Sequence, residues 1–70
     1  MSQGSVDRLV TMANQIARNF AVHGEAKATT MTTEHIRDFW DPRMKSQIKD
    51  HLKNGAKDLE PTAKAAIEKL

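Results

Sequence analysis

An Asp-Pro step at residues 41 and 42 constrains this chain more than any other pair of its residues. Pro42 lacks an N–H, which costs nothing at the first position of a helix, and its ring disfavours helical geometry at the residue before it. Asp41 can accept hydrogen bonds from the free amides of the turn that follows. One helix must therefore stop near residue 40 and another start at 42. The stretch around this corner, His35-Ile36-Arg37-Asp38-Phe39-Trp40-Asp41-Pro42-Arg43-Met44, holds the only Trp and one of the two Phe. Phe39 and Trp40 give the corner a packing anchor, and truncating such a side chain in a core costs about 3–5 kcal/mol.

Upstream, Val6, Leu9, Val10, Ala13, Ile16, Ala17 and Phe20 recur every three or four residues. At about 100° per residue they fall within an arc of roughly 120°. This pattern predicts an amphipathic helix over about 6–22, capped by Ser5, with Asp7 in its first turn and Gly24 closing it in the left-handed region. Met12 lies off the stripe, at the edge of the expected core. A second helix over about 26–40 would place Ala28, Met31, Thr32, His35, Ile36 and Phe39 on one face, with His35 a hydrogen-bonded core residue. After the corner, Met44, Ile48 and Leu52 form a narrow apolar strip beside Lys45, Lys49, Lys53 and Lys57. That helix is expected over 42–54, stopped by Gly55. Leu59-Glu60-Pro61 repeats the acidic-then-proline start, and Ala63, Ala66, Ile67 and Leu70 then mark a helix over 61–69. The expected fold is all-α: one domain over 1–70, a small bundle of three to four short helices, with residues 1–4 disordered.

Seventy residues bury only roughly 60% of the surface that an unfolded chain of this size exposes. Beyond Met1 there are 17 large apolar residues, near the lower limit for an independent core. Apolar strips completed by another chain are the alternative to a marginal monomer. With no Cys, neither a disulfide nor a thiolate metal site can compensate. His23, His35 and His51 show no metal-ligand spacing. Eleven basic against 9 acidic residues leave a formal charge of +2, too small to imply nucleic acid. No apolar run is long enough to span a membrane, and the polar start lacks the features of a signal peptide, so a cytoplasmic location is expected. The lysine row reads either as a solvated face or as a contact for an acidic partner or phosphate.

Met12-Ala13-Asn14-Gln15-Ile16 in the first helix, joined to the string from His35 to Met44, closely resembles the delta subunit of bacterial NAD-dependent formate dehydrogenase. The likeness extends to the Gly55 turn and to Leu59-Glu60-Pro61. It implies a non-catalytic accessory subunit of a cytoplasmic enzyme that oxidises formate to carbon dioxide and reduces NAD. It implies that this chain carries no cofactor. Molybdopterin guanine dinucleotide, iron–sulfur clusters, FMN and the NAD site would reside on other subunits, and the large alpha subunit would be the partner. The role implied is support of assembly, cofactor insertion or stability of the holoenzyme. The sequence is consistent with that division, because it has no Cys for clusters and no glycine-rich phosphate loop.

The corner is then the expected docking surface, with Arg37, Trp40, Asp41, Arg43 and Met44 as partner-binding candidates. Trp and Arg dominate interface energetics, Met adapts to an irregular groove, and Arg37 can pair bidentately with a carboxylate. Each has a local reading beside the functional one. Phe39 and Trp40 could fill the core, and Arg37 and Arg43 could pair with Asp38 and Asp41. The rival function is a small helical nucleic-acid-binding protein, since a tight helix corner followed by a lysine-rich helix suits phosphate contacts. Against it, that helix offers only Gln47 and Asn54 to read base edges.

Overall fold

The computed structural model of the chain describes residues 3–70. Helix α1 spans Gln3–Phe20 and runs into a single 3-10 turn, Ala21–His23. It is followed by α2 (Glu25–Phe39), α3 (Pro42–Lys53) and α4 (Pro61–Glu68), with no strand among the described residues. The chain is all-α, a small helical bundle, as its periodicity requires. Both proline starts fall where expected, at Pro42 and Pro61. Helix α1 opens earlier, so Ser5 lies inside it and is not its cap, and no acidic residue occupies the first turn. The disorder expected for residues 1–4 falls partly outside the described residues, at Met1 and Ser2; Gln3 and Gly4 begin α1.

Gly24 differs from expectation in a way that shapes the hairpin of α1 and α2. It has φ 92° and ψ 156°, extended rather than left-handed helical, a region that only glycine enters readily. Its N–H donates to the Ala21 carbonyl at 3.0 Å, and its own carbonyl accepts from the Ala28 N–H at 2.8 Å. One residue thus ends one helical segment and starts the next. With a single residue between them, the chain has no room for a left-handed residue followed by a connecting loop.

Helix α2 is wedged between α1 and α4, and α3 closes the bundle against both of them. The core draws Leu9, Val10, Ala13 and Ala17 from α1, Ile36 from α2, Ile48 from α3, and Ala63 and Ile67 from α4. Trp40, Ala56 and Leu59 fill it from the connections. The face that α2 buries is Ala28, Thr29, Thr32, Thr33 and Ile36. It is rotated away from the face expected from apolar periodicity, so Met31 and His35 are only half-buried and Phe39 lies in solvent. The reason is that threonine can bury its methyl group when its hydroxyl bonds the carbonyl four residues back. Thr29 donates to Glu25 at 2.9 Å and Thr33 to Thr29 at 3.0 Å. The small side chains Ala63 and Ala66 of α4 are fully buried, and Thr33 also reaches the Ala66 carbonyl at 2.9 Å.

Two side chains of α1 hold the loop between α3 and α4. Asn14 donates to the Asp58 carbonyl at 3.0 Å and accepts from the Glu60 N–H at 2.9 Å, satisfying two backbone groups of the same turn. Arg18, one helical turn on, donates from its Nε and Nη2 to the two oxygens of the Glu60 carboxylate. That hydrogen bond, and then the charge of Glu60, raise the Arg18 guanidinium above its ordinary value. Glu60 precedes Pro61, as the start signal demands, but its side chain makes no cap of its own helix; it reaches α1 instead. From α3, half-buried His51 places its Nε2 2.9 Å from Asp58 Oδ1, fastening the loop on its other side.

Candidate docking surface

At the corner, Asp41 accepts from the Met44 N–H at 2.8 Å, and Pro42 occupies the first turn. Both therefore do the local work expected of them. Trp40 is extended (φ −88°, ψ 142°), and its N–H closes α2 on the Ile36 carbonyl at 3.0 Å. Its side chain turns inward and is 5% exposed, so of its two readings the structure adopts the core one. Lys45 reaches back from α3 to the Arg37 carbonyl at 3.0 Å, placing a cation at the negative end of α2.

Of the five partner-binding candidates, four reach the surface at least in part and one does not. Trp40 lies in the core and Asp41 is spent on the cap. Arg37 is exposed, with its Nε 3.7 Å from Asp38 Oδ1, a weak local pair. Arg43 is exposed and Met44 half-buried. Arg37 and Phe39 are two residues apart, hence roughly 200° apart around α2, on nearly opposite sides.

Beside the core runs a band of half-buried side chains that ends in exposed Phe39. Phe39 is 74% exposed, correcting the expectation that it fills the core. Its ring lies 4.8 Å from that of His35, which meets the edge of Phe20 at 6.3 Å between centroids. His35 is thus part of an aromatic stack and not a core histidine. Phe20, Ile16 and Met12 follow one another at four-residue spacing along α1, all half-buried. Met12 then meets Met44 in an open groove of ≈ 380 Å³ lined also by Ser5, Arg8, Leu9 and Gln47. Contact and helical spacing together link Met44, Met12, Ile16, Phe20, His35 and Phe39 into one continuous strip. Sequence reasoning had the pieces, since Met12 was already off the core stripe. The strip escapes the apolar pattern because α2 turns Thr29 and Thr33 inward and Phe39 outward.

The lysine row is less uniform than its spacing suggests. Lys57 falls beyond the end of α3, Lys45 holds the Arg37 carbonyl, and Lys49 lies 3.4 Å from the Leu70 carbonyl. Among the described residues, no three His, Cys, Asp or Glu side chains are grouped as metal ligands, and no helix is long and apolar enough to cross a membrane.

A family model described as NADH-dependant formate dehydrogenase delta subunit FdsD matches residues 8–67. The match takes in the latch on Asn14, the corner and the α3–α4 loop. Neither the curated proteins nor the solved structures include a match.

Proposed function

This chain belongs to the NADH-dependent formate dehydrogenase delta subunit family, and from that membership we propose that it is a non-catalytic accessory subunit docked on the large alpha subunit. Its work there is to support assembly, cofactor insertion or stability of a cytoplasmic complex that oxidises formate and reduces NAD. Molybdopterin guanine dinucleotide, iron–sulfur clusters, FMN and NAD belong to the other subunits. What supports that division is the amino-acid content of this chain, which has no Cys to ligate a cluster.

The observation that carries the reading is Phe39, 74% exposed at the end of an apolar strip on a chain of seventy residues. So small a protein has few large side chains to spare, and leaving Phe39 in water is costly unless a partner covers it. The test is to produce the other subunits of the enzyme with and without this chain. Molybdenum content, formate-dependent NAD reduction and half-life at the growth temperature are then compared. The expected result is lower cofactor occupancy or a shorter half-life without it. Adding the purified chain afterwards separates the roles: recovery points to stabilisation, and no recovery points to maturation. Identical occupancy, turnover and half-life in its absence would refute the proposal.

A further inference from the structure

We propose that the strip ending in Phe39 seats an apolar segment of the alpha subunit that carries a carboxylate within one helical turn of its apolar residues, paired with Arg8 and Arg43. This rests on the accessory-subunit reading and names the surface and the chemistry of the partner. The charge requirement comes from the arginines. Of the four in the chain, Arg18 pairs with Glu60 and Arg37 lies beside Asp38. For Arg8 and Arg43 no carboxylate lies within 4.0 Å among the described residues.

These two are also the arginines at the strip. Arg8 lines the groove between Met12 and Met44. Arg43 stands one turn ahead of Gln47, which lines the same groove, and at i and i+4 the two share a side of α3. An apolar floor with adaptable methionines, flanked by exposed guanidinium groups, fits an apolar segment with acidic residues at its edge. A second copy of this chain fits less well. A symmetric pairing across the methionine end would set each copy's arginines against those of the other.

The test uses the complete enzyme, with this chain tagged and co-produced with its partners. Phe39→Ser and the double variant Arg8→Glu/Arg43→Glu change only exposed side chains, so both should keep the wild-type helical circular dichroism. Each is expected to lower retention of the chain in the purified complex roughly tenfold or more. Lys53→Glu, on an exposed position of α3 away from the strip, is expected to be retained like the wild type. Photo-crosslinking from p-benzoylphenylalanine in place of Gln47, which lines the groove with Arg8, is expected to reach an alpha-subunit segment with Asp or Glu within one turn. Crosslinks to a second copy of this chain, or to a segment without carboxylates, overturn the inference. Retention of both variants at the wild-type level overturns it too while leaving the accessory-subunit reading standing. Failure of the wild-type chain itself to copurify overturns the inference, and the accessory-subunit reading then stands or falls on occupancy, turnover and half-life.

Discussion

Two threonines one residue apart in α2 should respond in opposite directions to the same substitution. Thr32 is fully buried and its hydroxyl has no hydrogen-bond partner among the described residues, whereas Thr33 is buried and shares its one hydroxyl proton between the Thr29 carbonyl and the Ala66 carbonyl of α4. Valine matches the shape of threonine, exchanges the hydroxyl for a methyl group, and has nearly the same helix propensity. In Thr32→Val the exchange removes a buried polar group that gains nothing from the fold. The recovered desolvation penalty is about 1–2 kcal/mol of added stability. In Thr33→Val the same exchange deletes the bond between α2 and α4. The Ala66 carbonyl keeps a backbone partner in the Lys69 N–H at 3.2 Å, so no orphan is created. The loss is therefore that of one net hydrogen bond, about 1 kcal/mol.

For a domain of this size each kcal/mol moves the melting temperature by roughly 4–8 °C. Thr32→Val should melt higher than wild type and Thr33→Val lower, a separation well beyond the error of a thermal scan followed at 222 nm. Urea titration should show the midpoints displaced in the same two directions with unchanged slopes. A destabilised Thr32→Val would mean that its hydroxyl is bonded after all. Equal shifts for both variants would mean that the α2–α4 contact does not depend on hydrogen bonding at Thr33.

The adjacent aromatics form a second contrast. Trp40→Ala should cost about 3–5 kcal/mol, a large share of what so short a chain can muster, while Phe39→Ala should change stability by less than about 1 kcal/mol. Comparable losses in chemical denaturation would place both rings in the core. Asn14→Ala should cost about 1–2 kcal/mol, and its amide exchange should speed up selectively over residues 54–60, because two backbone groups of that loop lose their side-chain partner. Uniformly faster exchange would argue against a local latch. Gly24→Ala should cost about 1–3 kcal/mol from backbone strain alone, since an added Cβ meets nothing within 4 Å there. A neutral variant, read by its melting temperature, would show that the hairpin reverses equally well another way.

Much of this bundle is written in local signals, and the places where reading fails share one cause. Asp41-Pro42 and Glu60-Pro61 announce their helices because capping and the missing proline N–H are properties of two or three neighbouring residues. The stripe of α1 is equally legible because its buried residues are aliphatic. Helix α2 is different. Ala28, Thr32, Ile36 and Trp40 repeat every fourth residue with Thr29 and Thr33 beside them, and this row is what the bundle buries. Hydropathy ranks threonine as polar, so the expected face, while sharing Ala28, Thr32 and Ile36 with this row, takes in Met31, His35 and Phe39 in place of Thr29, Thr33 and Trp40. Only the small side chains of α4, contributed some thirty residues later, let the threonine face approach closely enough to win. Asn14 and Arg18 escape notice for the same reason, because their partners at Asp58 and Glu60 are distant in sequence.

The rotation of α2 connects the fold to its use. Had the helix buried the face its hydropathy favours, Phe39 would fill the interior and the α1–α2 seam would close over. By packing threonine and alanine against α4, the chain keeps Trp40 as its corner anchor and leaves Phe39, stacked on His35, at the rim. Restoring the apolar face therefore sets stability against docking. Thr29→Asp with Thr33→Asp would charge the buried row and, if the bundle survives at all, drive α2 to turn Phe39 inward. The physical expectation is unfolding instead: two buried carboxylates, one displacing the Thr33–Ala66 bond, cost several kcal/mol, more than burying one aromatic ring returns. A folded double variant with Phe39 protected from solvent would show that the two faces of α2 are close in free energy. A double variant that loses its circular dichroism shows that α2 has no alternative packing able to absorb charge in the threonine row.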